Sequence, residues 1–330
     1  MNKSAASCVP IIVRLPNWVG DVCMSLPSVQ ALSLTGHPLI ICARPWAKDL
    51  TEQFAAQQFI ALSGKFLSDY QALEAVARST RREALGLVLP DSFSSAALFK
   101  LSGIKSAGYR DDGRSLLLDW PIKKPTQPVH AVQKWWQLTE QALQAWRIDS
   151  PLFAHANQPA PSVTLEITEP DLQAAHSNLA THRLTPHKFV LLAPTATGTH
   201  HGKAKVWPHF SDLSQALRSQ HIEVAMCPPP HERDQALRAC PDAVLLDPLP
   251  LRSFCALTKL SSLVVCNDSG VSHLAAVAGA KQLTLFGVTD PANTRAWADK
   301  AALLGTNGHW PGLEEVVSTV RQMLVDPDKL

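Results

Sequence analysis

No run of this sequence approaches the ~18 consecutive apolar residues that a membrane-crossing helix needs, and none of its seven cysteines stands in a C-x-x-C pair. The first absence leaves no spanning segment. The second removes the common zinc and dithiol patterns. An odd number of cysteines scattered singly (Cys8, Cys23, Cys42, Cys227, Cys240, Cys255, Cys266) also gives no disulfide frame. Several sit in strand-like apolar runs, CMSL, LIICA and LVVCN, and read as buried free thiols of a reducing cytoplasm. The opening MNKSAASCVPIIV has one Lys and too short an apolar stretch for a signal peptide. Charge of one sign is lacking as well: 30 Lys and Arg against 28 Asp and Glu leave +2, too little for a general nucleic-acid binder. There is no G-x-G-x-x-G and no Walker A loop, so a dinucleotide oxidoreductase has no support. The sole Asp-x-Asp pair, Asp326-Pro327-Asp328, lies in the C-terminal tail, away from any strand end. That position favours chemistry without a metal, in which Lys and helix N-termini replace the cation.

What is present alternates. PIIVRLP, PLIICAR and ALGLVLP are each followed by segments of helical period, such as SVQALSL and SDYQALEAVARSTRRE. Strands alternating with helices imply parallel sheets built from right-handed βαβ units. The pattern lapses at 148–162, IDSPLFAHANQPAPS, and then restarts with KFVLLAP, IEVAMCP, AVLLD, LVVCND and KQLTLFG. The chain of 330 residues therefore reads as α/β with two doubly wound domains facing across a cleft, 1–155 and 156–330, without a sequence repeat. Charge divides unevenly. Residues 1–160 carry 16 Lys and Arg against 12 Asp and Glu, for +4, and the remainder 14 against 16, for −2. Arg81-Arg82, Arg110/Arg114 and Lys123-Lys124 all fall in the first half and read first as solvated surface, second as contacts to an anionic acceptor or lipid headgroup.

In open parallel sheets ligands bind beyond the carboxyl ends of the strands, so the loops there carry the candidate chemistry. In LVVCNDSGVSHLAA, Asn267-Asp268-Ser269-Gly270 opens a helix that includes His273. Its free N–H groups and dipole suit an anion, while a plain helix cap with a packed His is the simpler alternative. TATGTHHGKAKVWP, 195–208, offers the hydroxyls of Thr195, Thr197 and Thr199 together with Lys203 and Lys205, a set suited to a diphosphate. Its His200-His201 pair has no Cys or carboxylate at ligand spacing and reads as exposed loop. PNWVGDVCMSLP, 16–27, sets Asp21 where a helix starts, either as its N-cap or as a base aimed into the cleft.

Together PNWVGDVCMSLP, LPDSFSSAALFKLSGIKSAGYR, KVWPHFSDLSQAL and NDSGVSHLAAVAG resemble glycosyltransferase family 9, the bacterial heptosyltransferases, most closely those of type II. The resemblance implies a GT-B fold, ADP-L-glycero-D-manno-heptose as donor, inversion at the anomeric centre and no cofactor. It places the catalytic base on Asp21 and a phosphate-binding Lys on Lys205. The donor element falls on Asp268, Ser269, Gly270 and His273, and the ribose contact on Glu232. Thr197, Thr199 and Lys203 line the same loop. Asn17, Trp18, Gly20 and Arg110 fall on the acceptor side. The acceptor expected is a phosphorylated Kdo-lipid A type glycolipid, met by a protein lying peripherally on the cytoplasmic face of the inner membrane. The loop from Pro194 to Lys205 is longer than is usual for type II enzymes, and its THHG has no counterpart there. Transfer to a first or later core heptose or to a protein, and a catalytically silent nucleotide-sugar-binding module, are the competing expectations.

Overall fold

The computed structural model describes residues 8–155, 159–160, 163–197, 199–200, 202–299 and 301–325; for His155, Thr199, His200 and Lys203 it describes the backbone alone. The chain divides into two compact units, residues 1–160 and 161–330.

The first unit holds strands β1 (Ile11–Arg14), β2 (Leu39–Ala43), β3 (Gln58–Ala61), β4 (Leu85–Val88), β5 (Lys105–Tyr109) and β6 (Trp120–Ile122), all parallel, in the order β3-β2-β1-β4-β5-β6. The second holds β7 (Phe189–Ala193), an antiparallel pair β8 (Thr199–His200) and β9 (Lys203–Ala204), and then β10 (Glu223–Met226), β11 (Val244–Leu245), β12 (Leu263–Asn267), β13 (Gln282–Leu285) and β14 (Ala301–Leu304). Its sheet is parallel in the order β11-β10-β7-β12-β13-β14. Counted within each six-stranded sheet, both orders read 3-2-1-4-5-6, the doubly wound arrangement. The repeat is one of topology, invisible in the sequence. Central strands β1, β2 and β12 are buried at every residue, as sheets covered on both faces require. The edge strands β3, β11 and β14 are half exposed.

Helices cover these sheets with apolar faces. Helix Val19–Ser33 buries ten of its fifteen residues and runs through Pro27 without ending there. It packs on helix Ala131–Trp146. Trp136 of that helix is buried against Phe153, with ring centroids 4.4 Å apart, and Trp135 donates its indole N–H to the Leu89 carbonyl at 3.1 Å. The adjacent tryptophans thus serve the core. Phe153 belongs to a short helix, Pro151–His155, inside the segment expected to be an irregular linker; Pro151 suits its first turn, where no N–H is needed. All seven cysteines are free and six are buried, but Cys8 is exposed, contrary to a uniformly buried set.

In the second unit a carboxylate joins two helices. Asp171 closes a capping box with Thr168 at the start of helix Glu169–Thr181 and accepts from Ser253 Oγ at 3.0 Å. It also pairs with Arg252 Nε at 3.0 Å, on helix Leu251–Leu260. Burial alone would raise its pKa, but the hydrogen bonds from Thr168 and Ser253 and the Arg252 charge outweigh it and hold the carboxyl below its ordinary value. A depressed native pKa contributes stability above the unfolded value near 3.9, and that contribution fades as pH falls through the native one. Asp171→Asn should therefore cost about 1–2 kcal/mol at pH 7, read from urea midpoints. The gap from wild type should narrow progressively below about pH 4.

Candidate active site

In both units strand order reverses at the same place, between β1 and β4 and between β7 and β12. The loops leaving the carboxyl ends of these strands form the crevice where such sheets bind ligands.

In the second unit the crevice is built around Asn267, the fully buried last residue of β12. Its Oδ1 accepts the Trp207 backbone N–H at 2.9 Å, and its Nδ2 donates to the Ala193 carbonyl, the last of β7, at 3.4 Å. Trp207 is itself buried and donates its indole N–H to the Pro311 carbonyl at 2.9 Å. One amide thus ties the loop after β7 to both central strands. Lys205, two residues before that anchor, sets its Nζ 3.5 Å from Asp268 Oδ2. Asp268 is buried and also accepts from Thr289 Oγ1 at 2.5 Å, while its backbone N–H donates to the Leu285 carbonyl. The carboxylate is fixed from beyond β13 and in turn aims the ammonium.

Ser269 next to it is the extended residue before helix Gly270–Ala278, and its side chain makes no cap. Its hydroxyl is buried and has no partner among the described residues. An uncapped helix N-terminus, an unused hydroxyl and a lysine make a place for negatively charged oxygen. Of the alternative reading, a side-chain cap with a packed His, the Ser269 cap is absent and the packed His is present. His273 is buried within the helix. Cys266 is fully buried in β12, and burial pushes its thiol up to about 12. The third neighbouring strand end, after β10, brings Glu232, whose Oε2 accepts from Thr195 Oγ1 at 2.5 Å. The Thr195 hydroxyl, expected to line the phosphate loop, is committed to Glu232. Thr197 is exposed. The expected loop after it contains the β8–β9 hairpin, on which Thr199 and Lys203 lie; their side chains, with Gly198 and His201, fall outside the described residues.

In the first unit Asp21 occupies the third position of helix Val19–Ser33, half-buried. Trp18 stands at the N-cap, with no side-chain capping bond, so Asp21 is not the cap. Asn17 and Trp18 are exposed, and Gly20 is half-buried. The turn that carries them is held by a residue the sequence reading passed over. Arg14, at the end of β1 and 5 % exposed, donates from Nη1 to the Leu15 carbonyl and from Nη2 to Asn17 Oδ1 at 2.6 Å. A charged residue within an otherwise apolar strand run was the available signal. Arg110 is exposed after β5, whereas Arg114 is buried and far from the solvated surface expected of it. Arg114 Nη1 reaches the Pro90 carbonyl and Asp91 Oδ1, both at 3.3 Å, and Lys124 Nζ reaches the same carboxylate at 2.8 Å. Among the described residues no group of three or more His, Cys, Asp or Glu side chains is arranged to hold a metal ion.

The family model for glycosyltransferase family 9 (heptosyltransferase) matches residues 74–319, about three quarters of the chain. The chain belongs to glycosyltransferase family 9. It is accordingly a glycosyltransferase, and the matched range contains Lys205, Glu232 and the Asp268–His273 turn but begins after Asp21. The lipooligosaccharide heptosyltransferase 2 of Haemophilus influenzae is 26 % identical over 324 residues, 89 % of this chain and 88 % of that protein, a span that the family model alone does not reach. Among solved structures, the ADP-heptose LPS heptosyltransferase II of E. coli superposes with a TM-score of 0.75 at 20 % identity, covering 97 % of this chain and 100 % of that one. An E. coli heptosyltransferase solved with ADP gives 0.68 at 18 % identity, covering 96 % and 98 %. These likenesses establish the fold, the α/β GT-B class with two doubly wound units.

Because Arg14 fixes the turn through Asn17, Arg14→Met and Asn17→Ala should each lower transferase turnover. Their double-mutant cycle should show coupling of about 1 kcal/mol with the donor KM unchanged. Additive losses would show that the two side chains act apart.

Proposed function

We propose that this transferase moves L-glycero-D-manno-heptose from ADP-heptose to the inner core of lipopolysaccharide, adding the second heptose, by inversion and without a metal. The observation that carries the reading is the Lys205–Asp268 pair beside the uncapped helix N-terminus at Ser269-Gly270. The names of the H. influenzae and E. coli relatives supply the sugar and the acceptor class.

In this reading the second unit holds the donor. Its diphosphate lies against Lys205 Nζ and the first-turn N–H groups of the Gly270 helix, with the Ser269 hydroxyl as a further donor and Glu232 toward the ribose. Thr197, Thr199 and Lys203 extend the same phosphate loop. The first unit presents the acceptor, with Asn17, Trp18, Gly20 and Arg110 on its side. Asp21 takes the proton from the acceptor hydroxyl as that oxygen attacks the anomeric carbon. The bond from that carbon to ADP breaks on the opposite face, which inverts the centre. Charge developing on the departing diphosphate meets groups already aimed, and each such preorganised donor is worth about 3 kcal/mol in the transition state.

Asp21→Ala should lower kcat by roughly 10²-fold or more while ADP affinity stays within about twofold, since the base touches the acceptor rather than the nucleotide. A variant keeping over a tenth of wild-type rate would remove Asp21 from that role. Lys205→Ala should weaken donor binding and turnover together, by about 10²-fold in kcat/KM. Unchanged donor affinity in that variant would move the role to Lys203. The acceptor is decided by one donor offered to Kdo-lipid A acceptors bearing no, one or two heptoses, with products read by mass. A single added heptose on the one-heptose acceptor is expected. Transfer to another acceptor reassigns the step, and no ADP release from any leaves a silent binding module.

A further inference from the structure

Residues 161–330 carry 14 Lys and Arg against 16 Asp and Glu, yet one groove of this second unit gathers basic side chains alone. Its volume is about 540 Å³, room for a ligand the size of a nucleotide. His187, Lys188, His221, Lys259 and Lys281 line it, and among the described residues no carboxylate does. The groove lies at the opposite end of the sheet from the candidate site. His187 and Lys188 lead into β7, His221 into β10, Ser262 into β12 and Lys281 into β13. These strands are neighbours in the order β10-β7-β12-β13. At about 4.8 Å between strands, their four entrances span roughly 14 Å.

The wall is fixed before any ligand arrives. Ser262 Oγ donates to the His187 carbonyl at 2.6 Å, the His187 N–H to the Leu260 carbonyl at 2.7 Å and the Ser262 N–H to the Phe189 carbonyl at 2.9 Å. These bonds clamp the entrances of β7 and β12 together. Lys281 Nζ donates to the Met323 carbonyl and ties helix Leu313–Val325 to the groove. A lysine at a helix C-terminus has a simple explanation, complementing the dipole. That explanation covers Lys259, in the last turn of helix Leu251–Leu260, and Lys281 through its bond to Met323. It leaves Lys188, which precedes a strand, and both histidines without a reason. Lys188 and Lys259 are exposed, and neither is in an ion pair with a described residue. Like charges gathered in a concave place without counter-charge repel one another until an anion meets them.

We propose that this groove, at the amino ends of β10, β7, β12 and β13, is an anion site distinct from the donor crevice, for a soluble, elongated polyanion carrying two or more phosphate groups. Its length exceeds what a single phosphate would bridge. Among the described residues no Trp, Tyr or Phe lines it, so recognition is by lysine charge and histidine hydrogen bonds rather than by stacking. The second unit exposes only Leu237 and Val325 among its described large apolar side chains, too few for a lipid surface. The inference does not rest on the proposed function.

The test is calorimetric titration of the full chain with inorganic tripolyphosphate at low salt. Binding is expected, weakened about tenfold or more at high salt. Tripolyphosphate can also enter the donor crevice, so variants separate the two places. One binding event should weaken at least about tenfold in Lys188→Glu/Lys259→Glu and persist in Lys205→Ala. His187 and His221 hold left-handed backbone, with φ of +58° and +61°, which asparagine also adopts. His187→Asn/His221→Asn therefore removes both imidazoles without refolding the turns and should weaken the same event about threefold. Melting without ligand should match wild type in both double variants, and the histidine pair decides should the lysine pair unfold. No binding to wild type, an event lost in Lys205→Ala alone, or groove variants that bind like wild type would overturn the proposal. Orthophosphate binding as tightly as tripolyphosphate would overturn the elongated ligand.

Discussion

The second unit's candidate site depends on one buried amide. Asn267 satisfies both ends of its side chain on backbone groups, the Trp207 N–H and the Ala193 carbonyl, in a place where water cannot substitute. Removing either end would leave a buried backbone group unsatisfied, at about 1–3 kcal/mol. That cost makes the geometry of the following loop a property of the core. Trp207 fills the same core cluster as Phe210 and Leu213, so the lysine two residues upstream inherits the rigidity of the sheet. A charged side chain on a long loop would otherwise sample many rotamers, and the entropy of ordering it would be lost at each binding event.

The two units use one strand order for different ends. In each, the reversal point collects the loops that leave the central strands. Around β7 and β12 those loops carry hydroxyls, a lysine and a helix N-terminus, groups that favour negative oxygen. Around β1 and β4 they carry Asp21, a turn pinned by Arg14, and apolar tips such as Trp18 and Phe93. Among the described residues no carboxylate lies in hydrogen-bonding range of the buried Arg14 guanidinium, and desolvation holds its pKa below the usual arginine value. Asp69 supplies opposing charge at longer range, while itself accepting from the Ser63 and Gly64 backbone N–H groups.

Much of the fold was legible because the central strands are continuous apolar runs. Ile11-Ile12-Val13 and Leu263-Val264-Val265 could hardly be anything but buried parallel strands. The edges were not legible. QFIA, WPI and AALL are three or four residues long, half-exposed and without alternation, and only pairing to a neighbour makes them strands. The β8–β9 hairpin, two residues on each side, has no periodicity to detect. Lys205, Asp268 and Asp21 stood out through their place in recognisable turns. Thr289 and Arg14 did not. Thr289 meets Asp268 across 21 residues because β13 happens to be the next strand, and no spacing rule anticipates that contact. Arg14 closes a strand whose apolar residues already explained it.

A carboxylate beside the lysine proposed to bind the diphosphate looks self-defeating, since Asp268 would repel that ligand. Its surroundings remove most of the objection. Asp268 is buried, with Thr289 donating to the same oxygen that lies 3.5 Å from Lys205. Its negative charge is thus partly offset by the ammonium beside it. Lys205 keeps about a quarter of its side chain exposed, so one face of the ammonium remains available to a ligand. The pair is better regarded as a lysine on a fixed mount than as a stabilising salt bridge, a contact at that distance and exposure being worth about 1 kcal/mol or less. A mount of this kind trades some positive potential for orientation. The uncapped helix beginning at Gly270 makes up the difference with dipoles that need no neutralising partner.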